Sequence, residues 1–179
     1  EIPLRLVGSE MCIRDRVATD RRGRHHAGFG LWARCRLMQQ PQHLREHYRH
    51  FQPITTRWHD NDLYGHVNNV TYYSYFDTAV NSYLIETGGL DIHHGEIVGF
   101  VVSSSCDYFE SIAFPERIEV GLRIGKLGNS SVQYELAVFR KGELQACAAG
   151  RFVHVFVDRQ SNQPVSIPVS YTHLRAHET

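Results

Sequence analysis

One long run of helical periodicity, set among short alternating runs, most constrains how this 179-residue chain can fold. Asn68 or Asn69 can cap the start of this run, and Gly88 can end it. A helix over residues 69–87 would be roughly 28 Å long, and its broad apolar face needs a sheet to cover it. The apolar side chains that recur at helical spacing are Tyr72, Tyr73, Phe76, Ala79, Val80, Tyr83 and Leu84.

The rest of the chain predicts antiparallel β-structure. Ile118, Val120, Leu122 and Ile124 alternate with polar residues or glycine, as expected of a strand with one buried face. Turn residues at Gly128-Asn129 and Lys141-Gly142 predict two hairpins. We therefore predict an α+β domain with about five antiparallel strands around one long helix. The predicted strands span residues 51–58, 97–109, 116–127, 130–140 and 144–157.

Composition and charge exclude several classes of function. A hydrophobic content of 42% is enough for the core of one domain. Residues 38–168 carry 10 Lys+Arg against 14 Asp+Glu, a net charge of −4, so no nucleic-acid partner is predicted. No apolar run is long enough to span a membrane. Four cysteines without a Cys-x-x-Cys pair, and no signal-peptide pattern, predict a cytoplasmic protein.

The two ends of the chain correspond to the two strands of one DNA sequence. A single sequence can encode residues 169–179, and its reverse complement can encode residues 6–15. That DNA resembles a transposase adapter used in preparing sequencing libraries. We therefore expect residues 1–37 to be a non-native or disordered leader, adapter-like over residues 6–16. We expect residues 169–179 to be an adapter-like tail and residues 38–168 to form the domain.

A polar segment just before the helix holds the candidate chemistry. Residues 59–66 read His-Asp-Asn-Asp-Leu-Tyr-Gly-His. A calcium loop would need Glu where Thr71 stands, and the spacing of zinc sites is absent, so no metal is predicted. A carboxylate beside a helix N-terminus remains, where N–H groups can hold an oxyanion while the carboxylate attacks or activates water. The alternative that these residues only cap a turn and a helix stays open at this point.

A longer motif adds a family resemblance. The run Trp58-His59-Asp60-Asn61-Asp62-Leu63-Tyr64-Gly65-His66-Val67-Asn68-Asn69, followed by Tyr72, Tyr75-Phe76-Asp77 and Ala79, resembles the signature of the 4-hydroxybenzoyl-CoA thioesterase-like branch of the hotdog-fold superfamily. The resemblance covers residues 51–168. It implies a five- or six-stranded antiparallel sheet wrapped around a long helix, with active sites between the subunits of a homodimer or homotetramer. It implies no cofactor.

The same resemblance assigns roles to individual residues. It implies Asp62 as the catalytic residue, acting as nucleophile or general base, and the backbone at Asn69 as the donor to the oxyanion. Asp60 is expected to hold the loop, and Asp77 is the competing catalytic carboxylate, since other branches place one on the helix. The residues predicted to bind substrate are Tyr64, Gly65, His66, Asn68, Tyr72 and Lys126.

The predicted function is hydrolysis of an acyl-CoA thioester to a carboxylic acid and free coenzyme A. Some relatives grip the coenzyme A phosphates with a basic cluster, whereas Lys126 stands alone in the corresponding turn. An acyl group on acyl carrier protein is therefore an alternative substrate. A non-catalytic hotdog domain that binds acyl-CoA is a second alternative, and hydrolysis of a panel of acyl-CoAs would distinguish it.

Overall fold

The computed structural model describes residues 43–168, and the predictions for residues 1–37 and 169–179 lie outside them. Short 3-10 turns occur at Arg45–His47 and Trp58–Asp60. No helix in the described part of the chain is long and apolar enough to cross a membrane. The main elements are α1 (Asn69–Gly88), β1 (His50–Thr55), β2 (Ile97–Tyr108), β3 (Arg117–Leu127), β4 (Ser131–Arg140) and β5 (Ala148–Asp158).

The ends of α1 follow from its capping residues. The Asn68 side chain accepts a hydrogen bond from the Val70 N–H at 3.2 Å, which satisfies one free donor of the first turn. Gly88 is the last helical residue, and Gly89 then takes the left-handed conformation with φ 68°. A glycine adopts this conformation without the steric cost of a Cβ. The helix predicted over residues 69–87 is therefore confirmed to within one residue.

The five strands of the described residues pair antiparallel in one sheet of order β1-β3-β4-β5-β2, so the predicted α+β fold is confirmed. The core lies between the sheet and α1 and includes the four alternating residues of β3, which are all buried. A Cβ built on Gly150 would lie 2.4 Å from the Phe76 ring. The bare backbone at Gly150 therefore lets the helix approach the sheet closely.

Two predicted strands differ from the observed ones by more than one residue at an end. The strand predicted to begin at residue 144 begins at Ala148, because its regular pairing with β2 ends at the Tyr108–Ala148 pair and the bonds of Cys147 just beyond it are irregular. The Cys147 N–H donates to the Val138 oxygen at 2.7 Å, and its own oxygen accepts from the N–H groups of Phe109 and Glu110. The run predicted over residues 51–58 ends at Thr55, and the chain then turns into the 3-10 segment.

Candidate active site

Asp60 is buried beneath the loop that precedes α1, with 2% of its surface exposed. Its carboxylate accepts hydrogen bonds from the Arg57 N–H at 2.7 Å, from Arg57 Nε at 3.0 Å and from the Tyr75 hydroxyl at 2.6 Å. Burial by itself would raise the pKa of Asp60, but the bonds from Tyr75 and Arg57 outweigh it and hold that pKa below its ordinary value. Asp60 is therefore an ionised group enclosed by the protein.

Asp62, two residues later, lies at the surface and is partly exposed. Its Oδ1 accepts from the Tyr64 N–H at 2.8 Å and, at 3.5 Å, from the His66 N–H. The main chain closes the same turn, since the Asp62 N–H donates to the His66 oxygen at 2.8 Å. Gly65 has φ +83°, a conformation that favours glycine. Both side-chain bonds use Oδ1, so among residues 43–168 the Asp62 Oδ2 has no hydrogen-bond partner.

An open cleft of about 930 Å³ brings this turn and the start of α1 together. Five of the predicted site residues line it. Trp58, Asn61 and Leu63 line it too, although the motif predicts no role for them. The signal for Trp58 and Leu63 was their apolar character inside a polar turn, and both are largely exposed. The predicted residues in this cleft are Asp62, Tyr64, Gly65, Asn68 and Asn69.

The first turn of α1 offers one backbone donor to this cleft. The Val70 N–H is taken by the Asn68 side chain, and the Thr71 N–H donates to the Asn68 oxygen at 2.9 Å. The Asn69 N–H makes no hydrogen bond to any residue in the 43–168 range. The Tyr108 hydroxyl donates to the Asn69 oxygen at 3.1 Å and so ties this turn to the sheet. Asn69 therefore combines a free N–H with the positive end of the helix dipole.

Three further predicted residues lie outside the cleft lining. His66 is exposed and joins the turn through its main chain. Tyr72 is buried, with its ring edge-on to Tyr108 at 5.0 Å between centroids. Lys126 pairs with Gln133 near the far end of β3, roughly 30 Å along the strand from its beginning. The Phe114 N–H, just before β3, donates to the Asn61 side chain, so the Asp62 turn lies near the start of β3. Within one chain, Lys126 is therefore remote from that turn.

Asp77, the competing catalytic carboxylate, lies away from the cleft. Asp77 is exposed on α1, and its Oδ1 accepts from the Asn81 side chain at 3.1 Å. It is absent from the residues that line the cleft. Across residues 43–168, no three His, Cys, Asp or Glu side chains are grouped so that they could hold a metal ion.

Comparisons with known proteins agree with this architecture. A family model described as "Thioesterase-like superfamily" matches residues 56–175. The solved PA5185 protein from Pseudomonas aeruginosa strain PAO1 is 68% identical, with a TM-score of 0.75 over 78% of this chain and 98% of that one. The PA2801 protein from Pseudomonas aeruginosa is 30% identical, with a TM-score of 0.65 over 71% of this chain and 95% of that one.

A more distant structure is similar in fold. A 1,4-dihydroxy-2-naphthoyl-CoA thioesterase from Synechocystis is 17% identical, with a TM-score of 0.64 over 70% of this chain and 94% of that one. At that identity the likeness concerns the fold alone. Across residues 43–168, five antiparallel strands and one long helix form the hotdog fold expected from the motif.

Proposed function

Because the chain belongs to the thioesterase-like superfamily, we propose that it hydrolyses an acyl-CoA thioester to a carboxylic acid and free coenzyme A. Membership of the family supports thioester hydrolysis in general. The observation that carries the proposal is that Asp62 and the first turn of α1 line one open cleft. A carboxylate and a free backbone donor on the same cleft are the two groups that attack on a thioester carbonyl needs.

In the proposed reaction, the thioester carbonyl oxygen accepts a hydrogen bond from the Asn69 N–H. That donor and the helix dipole stabilise the negative charge that develops on the oxygen. Asp62 then acts in one of two ways. As a nucleophile, it displaces the coenzyme A thiolate and forms an acyl anhydride that water cleaves. As a general base, it takes a proton from a water molecule that attacks the carbonyl, and the thiolate leaves.

Isotopic labelling would identify the nucleophilic route when water attacks the Asp62 carbonyl of the anhydride. Attack on the acyl carbonyl of the anhydride would give the same labelling as the general-base route. One turnover in ¹⁸O-labelled water, with enzyme in excess, leaves label on the Asp62 carboxylate if water attacks its carbonyl in an anhydride. The general-base route puts the label in the acid product alone. The partner-free Oδ2 of Asp62 is the oxygen that we propose reacts, since Oδ1 accepts the bonds that close the turn.

The walls of the cleft suit a substrate with an apolar arm. Trp58, Leu63 and Tyr64 are largely exposed, so they present apolar surface to the cleft that Asp62 also lines. The Trp58 ring is further held edge-on to Phe114, with centroids 5.9 Å apart. Such patches mark binding sites in folded proteins. We propose that this surface receives the acyl group or the pantetheine arm of the substrate.

We also propose that the protein is a homodimer joined at β2. This 12-residue strand lies at an edge of the sheet. Phe100, Val101 and Val102 on it are each exposed by 45% or more. If nothing covered this strand, its unpaired backbone groups and apolar side chains would promote pairing with other chains and aggregation. A dimer would also allow Lys126 to approach the cleft of the second copy. Light scattering should find a dimer that Val102→Lys dissociates, whereas a fully active monomer would contradict this.

A cytoplasmic location belongs to the same proposal. Cys106 and Cys147 are free thiols. Free thiols persist in a reducing compartment, which favours the cytoplasm. Cell fractionation of the native protein should recover it with cytoplasmic markers, and recovery elsewhere would contradict the assignment.

Substitution of Asp62 tests the function. Asp62→Asn keeps the size of the side chain and an acceptor for the turn, but an amide neither attacks a thioester nor takes a proton from water. We expect kcat to fall by at least about a hundredfold across a panel of aliphatic and aromatic acyl-CoAs, with KM little changed. Asp77→Asn is the matched control, since it removes an exposed carboxylate outside the cleft. Full activity in Asp62→Asn with an inactive Asp77→Asn would refute the assignment.

The carrier is tested with the same acyl group on two substrates. If the chain is an acyl-CoA thioesterase, kcat/KM for the acyl-CoA should exceed that for the acyl carrier protein by about tenfold or more, as one additional charge-assisted contact would give. The reverse preference would identify acyl carrier protein as the carrier. Binding of acyl-CoA without any turnover would identify the domain as a binding module.

A further inference from the structure

The hydroxyl of Tyr75 makes a buried hydrogen bond that lies behind the catalytic loop rather than in the cleft. Tyr75 lies in the second turn of α1 and is 4% exposed. It donates to Asp60 Oδ2 at 2.6 Å. The same Oδ2 accepts from the Arg57 N–H at 2.7 Å, and the Arg57 guanidinium holds Oδ1 at 2.9 Å. Within residues 43–168, every hydrogen bond to this buried carboxylate therefore comes from Tyr75 or Arg57.

Asp60 is also the junction between the loop and the helix. Its main-chain oxygen accepts the Asn68 N–H at 2.8 Å, and Asn68 is the residue that caps α1. Asp62 begins its turn only two residues after Asp60. A displacement of Asp60 would therefore change the position of Asp62 and, through Asn68, the position of the Asn69 N–H.

We infer that Tyr75, acting through Asp60, is a positioning residue that sets the spacing between the Asp62 carboxylate and the first turn of α1. The inference rests on the proposed function and adds a residue to it. Tyr75 is rigidly placed because it belongs to the helix and its ring packs against that of Tyr72, with centroids 6.2 Å apart. The hydrogen bond between Tyr75 and Asp60 therefore fixes the position of the loop relative to the helix. This position matters because misplacement of reacting groups by about 1 Å is enough to cost two orders of magnitude in rate.

Tyr75→Phe removes the hydroxyl and keeps the ring. Asp60 would retain its bonds from Arg57 but lose its direct tie to α1. We expect kcat for acyl-CoA hydrolysis to fall about tenfold while KM stays within about twofold, because substrate binding surfaces are untouched and the reacting groups are misaligned. A role confined to stability would instead lower the melting temperature and leave kcat unchanged well below it.

Tyr83→Phe is the matched control. Tyr83 lies two turns further along α1, is 5% exposed and packs against the His50 ring, with no hydrogen bond from its hydroxyl to a described residue. This variant should keep both kcat and KM. A double variant, Tyr75→Phe with Asp60→Asn, should be no slower than Asp60→Asn alone, since both changes act through one bond. Additive losses, or an unchanged kcat in Tyr75→Phe, would overturn the inference.

A second readout does not depend on turnover. Amide hydrogen exchange of Tyr64 and Asn68, measured by NMR, should be about tenfold faster in Tyr75→Phe and unchanged in Tyr83→Phe, because these amides bond to Asp62 and Asp60. Unchanged exchange would refute the positioning role even if no acyl-CoA were hydrolysed. Absence of acyl-CoA hydrolysis in wild type would refute the proposed function, and hydrolysis that survives Asp62→Asn would refute the role of Asp62, whatever the exchange shows.

Discussion

Acid should destabilise this fold through one buried imidazole, that of His154 on β5. This side chain is 2% exposed and lies edge-on to Tyr134, with ring centroids 5.1 Å apart. Neither ring nitrogen has a hydrogen-bond partner among the described residues. Burial lowers the pKa of His154 to about 4, and the charge of Asp77 opposes that change only in part. The folded state therefore holds this imidazole neutral at pH 7.

The magnitude follows from the difference in proton affinity between the two states. In the unfolded chain, His154 should titrate with a pKa of about 6.5. Above about pH 6.5 the imidazole is neutral in both states, and its contribution to stability is fully present. As the pH falls from about 6.5 towards 4, the unfolded chain takes up the proton first and stability is lost. The pKa of His154 is therefore about 2.5 lower in the folded state than in the unfolded chain, which corresponds to about 3 kcal/mol of unfolding free energy.

Urea denaturation across this pH range would measure the effect. His154→Leu has no titratable group at this site, so between about pH 7 and pH 4 wild type should lose about 3 kcal/mol more than the variant. His93→Gln is the control, because it removes an exposed histidine and should leave the pH dependence of wild type unchanged. Parallel curves for wild type and His154→Leu would refute the reasoning.

Three further outcomes can be checked. Gly150→Ala should lower the free energy of unfolding by about 1–3 kcal/mol in thermal melts, because the Cβ of the alanine would lie 2.4 Å from the Phe76 ring. Adding Phe76→Leu to this variant should restore part of the lost stability. Burial raises the pKa of the Cys147 thiol to about 11, so a thiol reagent should modify Cys147 at least about a hundredfold faster in urea than in the native protein. Mass spectrometry of the modified peptides measures both rates, and equal rates would contradict the burial of Cys147. Lys126→Ala should raise KM for acyl-CoA about fivefold at constant kcat, because one contact to a coenzyme A phosphate would be lost. Lys141→Ala is the control, and an unchanged KM in Lys126→Ala would show that Lys126 does not bind the substrate.

Local sequence determined the secondary structure of the described domain. The helix could be placed because its period, its Asn68 cap and the glycines at its end depend on neighbours within a few residues. The alternation over residues 117–124 and the two turns that follow it are equally local, so five strands could be counted before their order was known. The motif before the helix predicted the position of the catalytic site, and the turn and capping residues of this motif line one cleft.

Tertiary structure alone decided which residues of that motif face solvent and which are enclosed. Asp60 and Asp62 are identical side chains two residues apart, yet Asp60 is buried because Tyr75 and Arg57 converge on it, while Asp62 remains partly exposed. Strand order likewise places β2 at an edge and Lys126 far from the loop. Arg57 is a local partner of Asp60, but the contact with Tyr75, the strand order and the distance to Lys126 depend on residues far apart in the chain, and no local pattern encodes them.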